Sequence, residues 1–175
     1  DRLVMRATVR ELVTLAACTA ILFVGQIALA FLPNIEVVSL LIILYTLTFK
    51  KRVLWIIYGF ALLEGMLYGF SFWWISYLYV WTILAGVTWC FRKMDSALGW
   101  AVLSAAFGLS FGILCEISRL FILGWNATVA EWISGIPFDL AHCFGNFAAA
   151  LVLYRPLRTL LRRFFPEGKP AGNQR

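Results

Sequence analysis

The sequence predicts an all-α integral membrane protein, a bundle of six transmembrane helices with both ends on the cytoplasmic side. Three observations carry that expectation. Of 175 residues 62% are hydrophobic, and the mean hydropathy is +0.86; a soluble domain is nearer half apolar. Charge is missing from long stretches, Leu12–Ile35, Val37–Phe49, Gly65–Phe91, Ser96–Cys115 and Leu140–Tyr154. In lipid only a helix or a closed barrel satisfies its own backbone, and these runs lack the alternation of barrel strands. Finally, every Lys and Arg except Arg119 falls on one side of such a bundle, the side that the positive-inside rule makes cytoplasmic.

Helix 1 is expected near Arg10–Leu32. Arginines, an apolar run and Ala28-Leu29-Ala30 imitate a signal peptide, but the run exceeds the ~7–15 residues of a signal core and further spans follow. Pro33-Asn34 marks a turn. Helix 2, Ile35–Phe49, is short for a hydrocarbon core of ~30 Å, so it starts in the interface or needs a thin bilayer. Lys50-Lys51-Arg52 separate it from helix 3, Val53–Phe70. Helix 4 is placed at Ile75–Phe91, and Arg92-Lys93 lead to helix 5, Ala97–Leu120. Helix 6, Ile136–Leu161, follows an outer loop and ends among Arg155, Arg158, Arg162 and Arg163. Residues 1–165 form one membrane domain, and Pro166–Arg175 reads as a disordered cytoplasmic tail. The net charge of +6 therefore reports topology and anionic lipid headgroups rather than nucleic acid.

The acids follow another pattern. Glu36 begins helix 2 on the outer side, and Glu64 lies eleven residues into helix 3, about 17 Å at ~1.5 Å per residue and so past the midplane. Glu116 and Arg119 end helix 5, Glu131 sits in the outer loop, and Asp139, His142 and Asn146 enter helix 6 at spacing i, i+3, i+7, on one face. Ionisable groups inside a span are costly and face a cavity or a partner, so their gathering in the outer half predicts an outward-opening polar pocket. Asp139 and His142 suit either ligand contact or an internal pair, with Arg119, holding helices 5 and 6. Glu116–Arg119 suits a local ion pair. Glu64 has no basic residue near it in sequence and calls for a ligand or a buried partner. Tyr68, Phe72, Trp73, Trp74, Tyr77, Tyr79, Trp81, Trp125 and Trp132 crowd the same level, as an interfacial belt or as the wall of a site for a flat organic ligand.

Small residues four apart (Ala16 and Ala20, Gly65 and Gly69, Gly108 and Gly112, Gly145 and Ala149) let helix backbones approach closely. The four cysteines lie singly in apolar segments and read as small buried side chains. There is no phosphate loop, CxxC, HExxH, pair of histidines or haem-attachment motif, so no cofactor or metal is expected. Ser110 between Gly108 and Gly112, with His142 on the next helix, has the elements of a rhomboid-like intramembrane serine protease, but Phe111 replaces the second glycine of that family's GxSG.

PNIEVVSLLIILYTLTF (Pro33–Phe49), YGFSFWWISYLYVW (Tyr68–Trp81) and SGIPFDLAHCFGNF with the following LYRPL (Ser134–Phe147, Leu153–Leu157) resemble the substrate-binding S components of energy-coupling factor (ECF) vitamin transporters. The resemblance covers nearly the whole chain. Ala16 and Ala20 are similar to the family's AxxxA motif. That likeness implies a bacterial plasma-membrane protein, not an enzyme, binding a vitamin or related micronutrient in an outward-facing pocket. It further implies docking through Ala16 and Ala20 on a transmembrane coupling (T) subunit that works with two cytoplasmic ATPases. Expected substrate-binding residues are Glu36, Glu64, Tyr68, Trp74, Tyr77, Trp81, Glu116, Arg119, Trp132, Asp139, His142 and Asn146. A stand-alone secondary transporter and the Ser110/His142 protease are the alternatives. An acid-rich, aromatic pocket disfavours a multiply anionic ligand and suits a flat, neutral or amine-bearing ring.

Overall fold

The structure, a computed structural model, describes residues 8–31 and 36–165. The expected Pro33-Asn34 turn, Arg2, Arg6 and the tail from Pro166 lie outside the described residues. These residues are almost entirely helical: α1 (Val9–Leu29), α2 (Val38–Phe49), a 3₁₀ turn (Lys50–Arg52), α3 (Val53–Tyr68), α4 (Phe72–Cys90), α5 (Ala97–Leu123) and α6 (Trp125–Phe164). Three of them, α1, α5 and α6, are long and apolar enough to cross a membrane.

A capping box opens α1: the Thr8 hydroxyl accepts from the Glu11 amide, and the Glu11 carboxylate accepts from the Thr8 amide, satisfying two N-terminal donors. The short α2 owes its length to its position. Every residue from Val38 to Thr46 is buried, and α2 touches α1, α3, α4, α5 and α6. A helix apolar all round belongs in an interior, and one enclosed by other helices need not match the lipid thickness. The shortness of α2 is therefore explained without a thin bilayer.

The largest correction concerns α6. Its expected start was Ile136, yet it begins at Trp125, with only Gly124 (φ 77°) between it and α5. The supposed outer loop is helix, and Glu131 and Trp132 ride on it. Asn126, Thr128, Gly135 and Pro137 argue locally against helix, but α5 and α6 pack as one antiparallel hairpin, and neighbouring helices sustain a proline inside a helix of this kind. The 40 residues of α6 rise about 60 Å, well beyond a ~30 Å hydrocarbon core.

Large apolar side chains cover the outside of α1 and α3 to α6, among them Val9, Trp55, Met66, Phe121, Phe144 and Val152, each more than 60% exposed. An apolar surface this extensive is unsuited to water and compatible with lipid. The two ends of the bundle differ in charge. Arg10 and Glu11 on α1, Phe49 on α2 and Phe164 and Phe165 on α6 line one cleft. Arg52 bridges to Glu11, and Arg158 donates to Thr48. The other end holds Glu36, Glu116, Glu131 and Asp139. Cysteine burial is less uniform than expected: Cys18 is buried, Cys90 is exposed, and Cys115 and Cys143 lie between.

Candidate functional site

At the acidic end, a polar network crosses from α2 to α6. His142 Nε2 donates to Glu36 Oε1 at 2.8 Å, the tautomer that a carboxylate acceptor requires. Ser39, one turn beyond Glu36, donates to that same Oε1 at 2.9 Å. Asn146 Nδ2 donates to Ser39 Oγ at 3.1 Å and to the Ser104 carbonyl at 3.2 Å. Glu36, Ser39, His142, Asn146 and Ser104 thus join α2, α5 and α6. Ser39 and Ser104 escaped the sequence reading. For Ser39 a signal existed in its i, i+3 spacing from Glu36; Ser104 contributes backbone and had none.

Glycine makes the α5–α6 approach possible. A Cβ on Gly108 would sit 2.8 Å from the His142 carbonyl oxygen, and one on Gly112 would strike the Asp139 carboxylate. The Gly112 amide donates to Asp139 Oδ1 at 3.0 Å. Asp139 therefore clasps α6 to α5, while Arg119 pairs with Glu116 (3.3 Å) and Glu131 (2.5 Å). Asp139, His142 and Arg119 do not form one hydrogen-bonded group: each bonds a different partner, although His142 still acts electrostatically on Asp139. Asp139→Asn keeps an acceptor for the Gly112 amide, so its stability is expected to stay near that of the wild type, whereas Asp139→Ala loses the clasp and about 1 kcal/mol of stability. Thermal melts of the two variants check this.

The aromatic residues divide by role. Trp74 donates its indole N–H to the Ala61 carbonyl (2.7 Å), and Tyr79 donates to the Leu114 carbonyl (2.7 Å); both stitch helices together. Tyr68, Phe72 and Trp125 are turned outward. Trp132 is half-buried on α6. Tyr77 and Trp81 face the interior. The Tyr77 ring meets Phe60, Trp73 and Trp81, and Trp81 meets Phe60, Phe107 and Phe111. Phe111 in turn lies edge-on to the His142 imidazole at 4.9 Å. Phe60, unmarked in the sequence, and Phe111, noted there only as a departure from GxSG, thereby link the aromatic wall to the polar network.

Glu64 lies one turn beyond Phe60 on α3, is 2% exposed, and interacts electrostatically with Glu36 and Tyr77. It has no hydrogen-bond partner among the described residues, and its Oε1 is sealed from solvent. Trp81 Nε1, Ser104 Oγ and Asn146 Oδ1 are likewise buried without partners. Each such group costs about 1–3 kcal/mol when left unpaired, and native interiors hold few of them.

Of the remaining expected residues, Glu116 and Arg119 form an ion-pair group with Glu131 rather than joining the Glu36 network. Ala16 and Ala20 lie on the exposed side of α1, opposite the Leu15, Cys18 and Leu22 face. Ser110 donates back to the Ala106 carbonyl (2.8 Å) and opens on an apolar surface groove of about 860 Å³ between α4 and α5, while the His142 ring is held by Glu36. Comparisons with family models, curated proteins and solved structures find no match for this chain.

Proposed function

We propose that the chain is the substrate-binding S component of an ECF-type importer. In this reading it crosses the bacterial plasma membrane six times with both ends cytoplasmic, binds a vitamin-like micronutrient from outside, and delivers it with a coupling subunit and two ATPases. The observation that carries the reading is the set of buried, unpartnered polar atoms, Glu64 Oε1, Trp81 Nε1, Ser104 Oγ and Asn146 Oδ1, beside an aromatic wall. A scaffold that needed only stability would have paired or replaced them, since unsatisfied buried groups are retained where function uses them. Charge polarity supports the orientation: basic groups crowd the end opposite Glu36 and Asp139. The outward, small-residue flank of α1 at Ala16 and Ala20 suits close approach by another membrane helix.

Denaturing the detergent-purified protein and analysing the released small molecules by mass spectrometry is the direct test. The expected result is a stoichiometric organic compound, together with co-purification of a coupling subunit and ATPases. A protein that is empty and also fails to associate with any coupling module overturns the proposal.

A further inference from the structure

The apolar groove between α4 and α5 has no part in the importer reading, and what it holds does not depend on that reading; it requires only that these two helices lie in lipid. We infer that the groove seats one anionic phospholipid, with an acyl chain along the cleft and the phosphate against Arg92 and Lys93.

The two helices are joined unevenly. Toward the acidic end polar side chains bind them: the Tyr79 hydroxyl donates to the Leu114 carbonyl at 2.7 Å, and Ser76 reaches the Cys115 carbonyl at 3.2 Å and Ser118 at 3.1 Å. Beyond Tyr79 they face each other across an apolar cleft of about 860 Å³. Its walls are Ile83, Val87 and Phe91 on α4 and every fourth residue of α5 from Leu98 to Leu114, a single helix ridge. Leu84 and Phe107, both buried, form its floor. Ser110, on that ridge, donates its hydroxyl to the Ala106 carbonyl, so it presents no unmatched donor to a hydrocarbon chain. From Leu98 to Leu114 the ridge runs about 24 Å at ~1.5 Å per residue. One leaflet with its headgroups measures ~20–22 Å, half of a whole bilayer.

Charge sits at one end of the cleft. Arg92 and Lys93 lie in the chain between Phe91 and Met94, both of which line it. The Arg92 guanidinium is held over the Trp89 ring at 4.4 Å and donates to the Trp89 carbonyl at 3.3 Å. Among the described residues neither cation is paired with a carboxylate. Asp95 is the one acid in this turn, is exposed, and leaves the turn net positive. Ser96 lines the same end and opens α5, and a helix N-terminus adds a favourable field for a phosphate. Ala106 and Ser110 are small and four apart, a spacing that also admits a partner helix. Such a helix would leave Arg92 and Lys93 unmatched unless it brought acids with it. A phospholipid carries its negative charge at the depth where these cations lie and its hydrocarbon where the cleft is apolar.

The test is native mass spectrometry of the full chain, released from neutral detergent after incubation with phosphatidylglycerol or with phosphatidylcholine of the same acyl chains. One phosphatidylglycerol retained per chain is expected, bound at least about tenfold more tightly than phosphatidylcholine, since each basic residue near an anionic lipid contributes several-fold. Arg92→Gln with Lys93→Gln should cut that preference to about twofold or less, while Lys50→Gln with Lys51→Gln, at the other basic turn, should leave it intact. Ala106→Phe, at an exposed position inside the cleft, should weaken both lipids at least about fivefold by displacing the acyl chain. Leu109→Phe, exposed on α5 outside the cleft, should not. A thermal melt shows that each variant is folded; if Ala106→Phe is not, the two charge pairs decide alone. No retained lipid, equal retention of the two lipids, equal effects of the two charge pairs, or lipid binding unchanged in a folded Ala106→Phe overturns the assignment. A protein partner held there in place of lipid, and lost in Ala106→Phe, overturns it too. Released cargo and the coupling module are read separately, so either result leaves the importer reading to its own test.

Discussion

Replacing Trp81 with alanine is expected to destabilise the protein by about 3–5 kcal/mol and to abolish ligand binding. Trp81 is among the largest fully buried side chains, and it is where the rings of α3, α4 and α5 meet. Removing it empties a volume bordered by Phe60, Tyr77, Phe107 and Phe111, all aromatic and slow to collapse into the gap. Trp81→Phe separates packing from chemistry. The smaller ring keeps much of the contact and removes the unpartnered indole N–H, so the stability cost should fall to about 1–2 kcal/mol, offset in part by loss of the unsatisfied donor. Affinity should nonetheless drop about tenfold, the worth of one buried hydrogen bond to a ligand. Detergent-denaturation curves beside binding titrations measure the two effects. Equal losses of stability and affinity in Trp81→Phe would assign Trp81 to packing alone.

Gly108→Ala is the second large effect. Alanine favours a helix interior by about 1 kcal/mol over glycine, so an uncrowded site would be stabilised. Here the new methyl group meets backbone, the His142 carbonyl, which cannot rotate away. Separating α5 from α6 strains the Asn146 bond to the Ser104 carbonyl and the Gly112–Asp139 clasp. A net loss of about 1–3 kcal/mol is expected, as for an overpacked core, together with weakened binding. Gly86→Ala is the control: a Cβ there meets nothing within 4 Å, so the same change on α4 should be neutral or stabilising. A thermal melt of the three proteins checks the ordering.

Much of the fold was legible because charge punctuates it. Lys50-Lys51-Arg52 and Arg92-Lys93 fall at helix junctions, and the boundaries expected around them agree with α2, α3, α4 and α5 to within a few residues. The start of α6 was hidden because its first turns are poor helix formers sustained by packing against α5, a tertiary cause that no local pattern records. The site was legible by residue type but not by role. Glu36, Glu64, His142 and Asn146 were marked by polarity in apolar surroundings, and the structure brings them to one region. Asp139 carries the same mark, yet its carboxylate answers a backbone amide. Trp74 and Tyr79 could not be told from Tyr77 and Trp81, since one turn of helix decides whether a polar tip meets a carbonyl or the interior. Gly108 and Gly112 were read correctly as sites of close approach, but the partner helix and the carboxylate received there required the fold.

The enclosure of α2 has a consequence for biosynthesis. Apart from the side that meets α1, its flanks are covered by helices made later, and its Glu36 is matched by His142, 106 residues downstream. While α3 to α5 are being made, α2 has its polar start unmatched, and only the synthesis of α6 seals it. A chain ending before His142 would leave that carboxylate without its imidazole and the flank of α2 that meets α6 uncovered. The buried network thus forms only after α6 has been made.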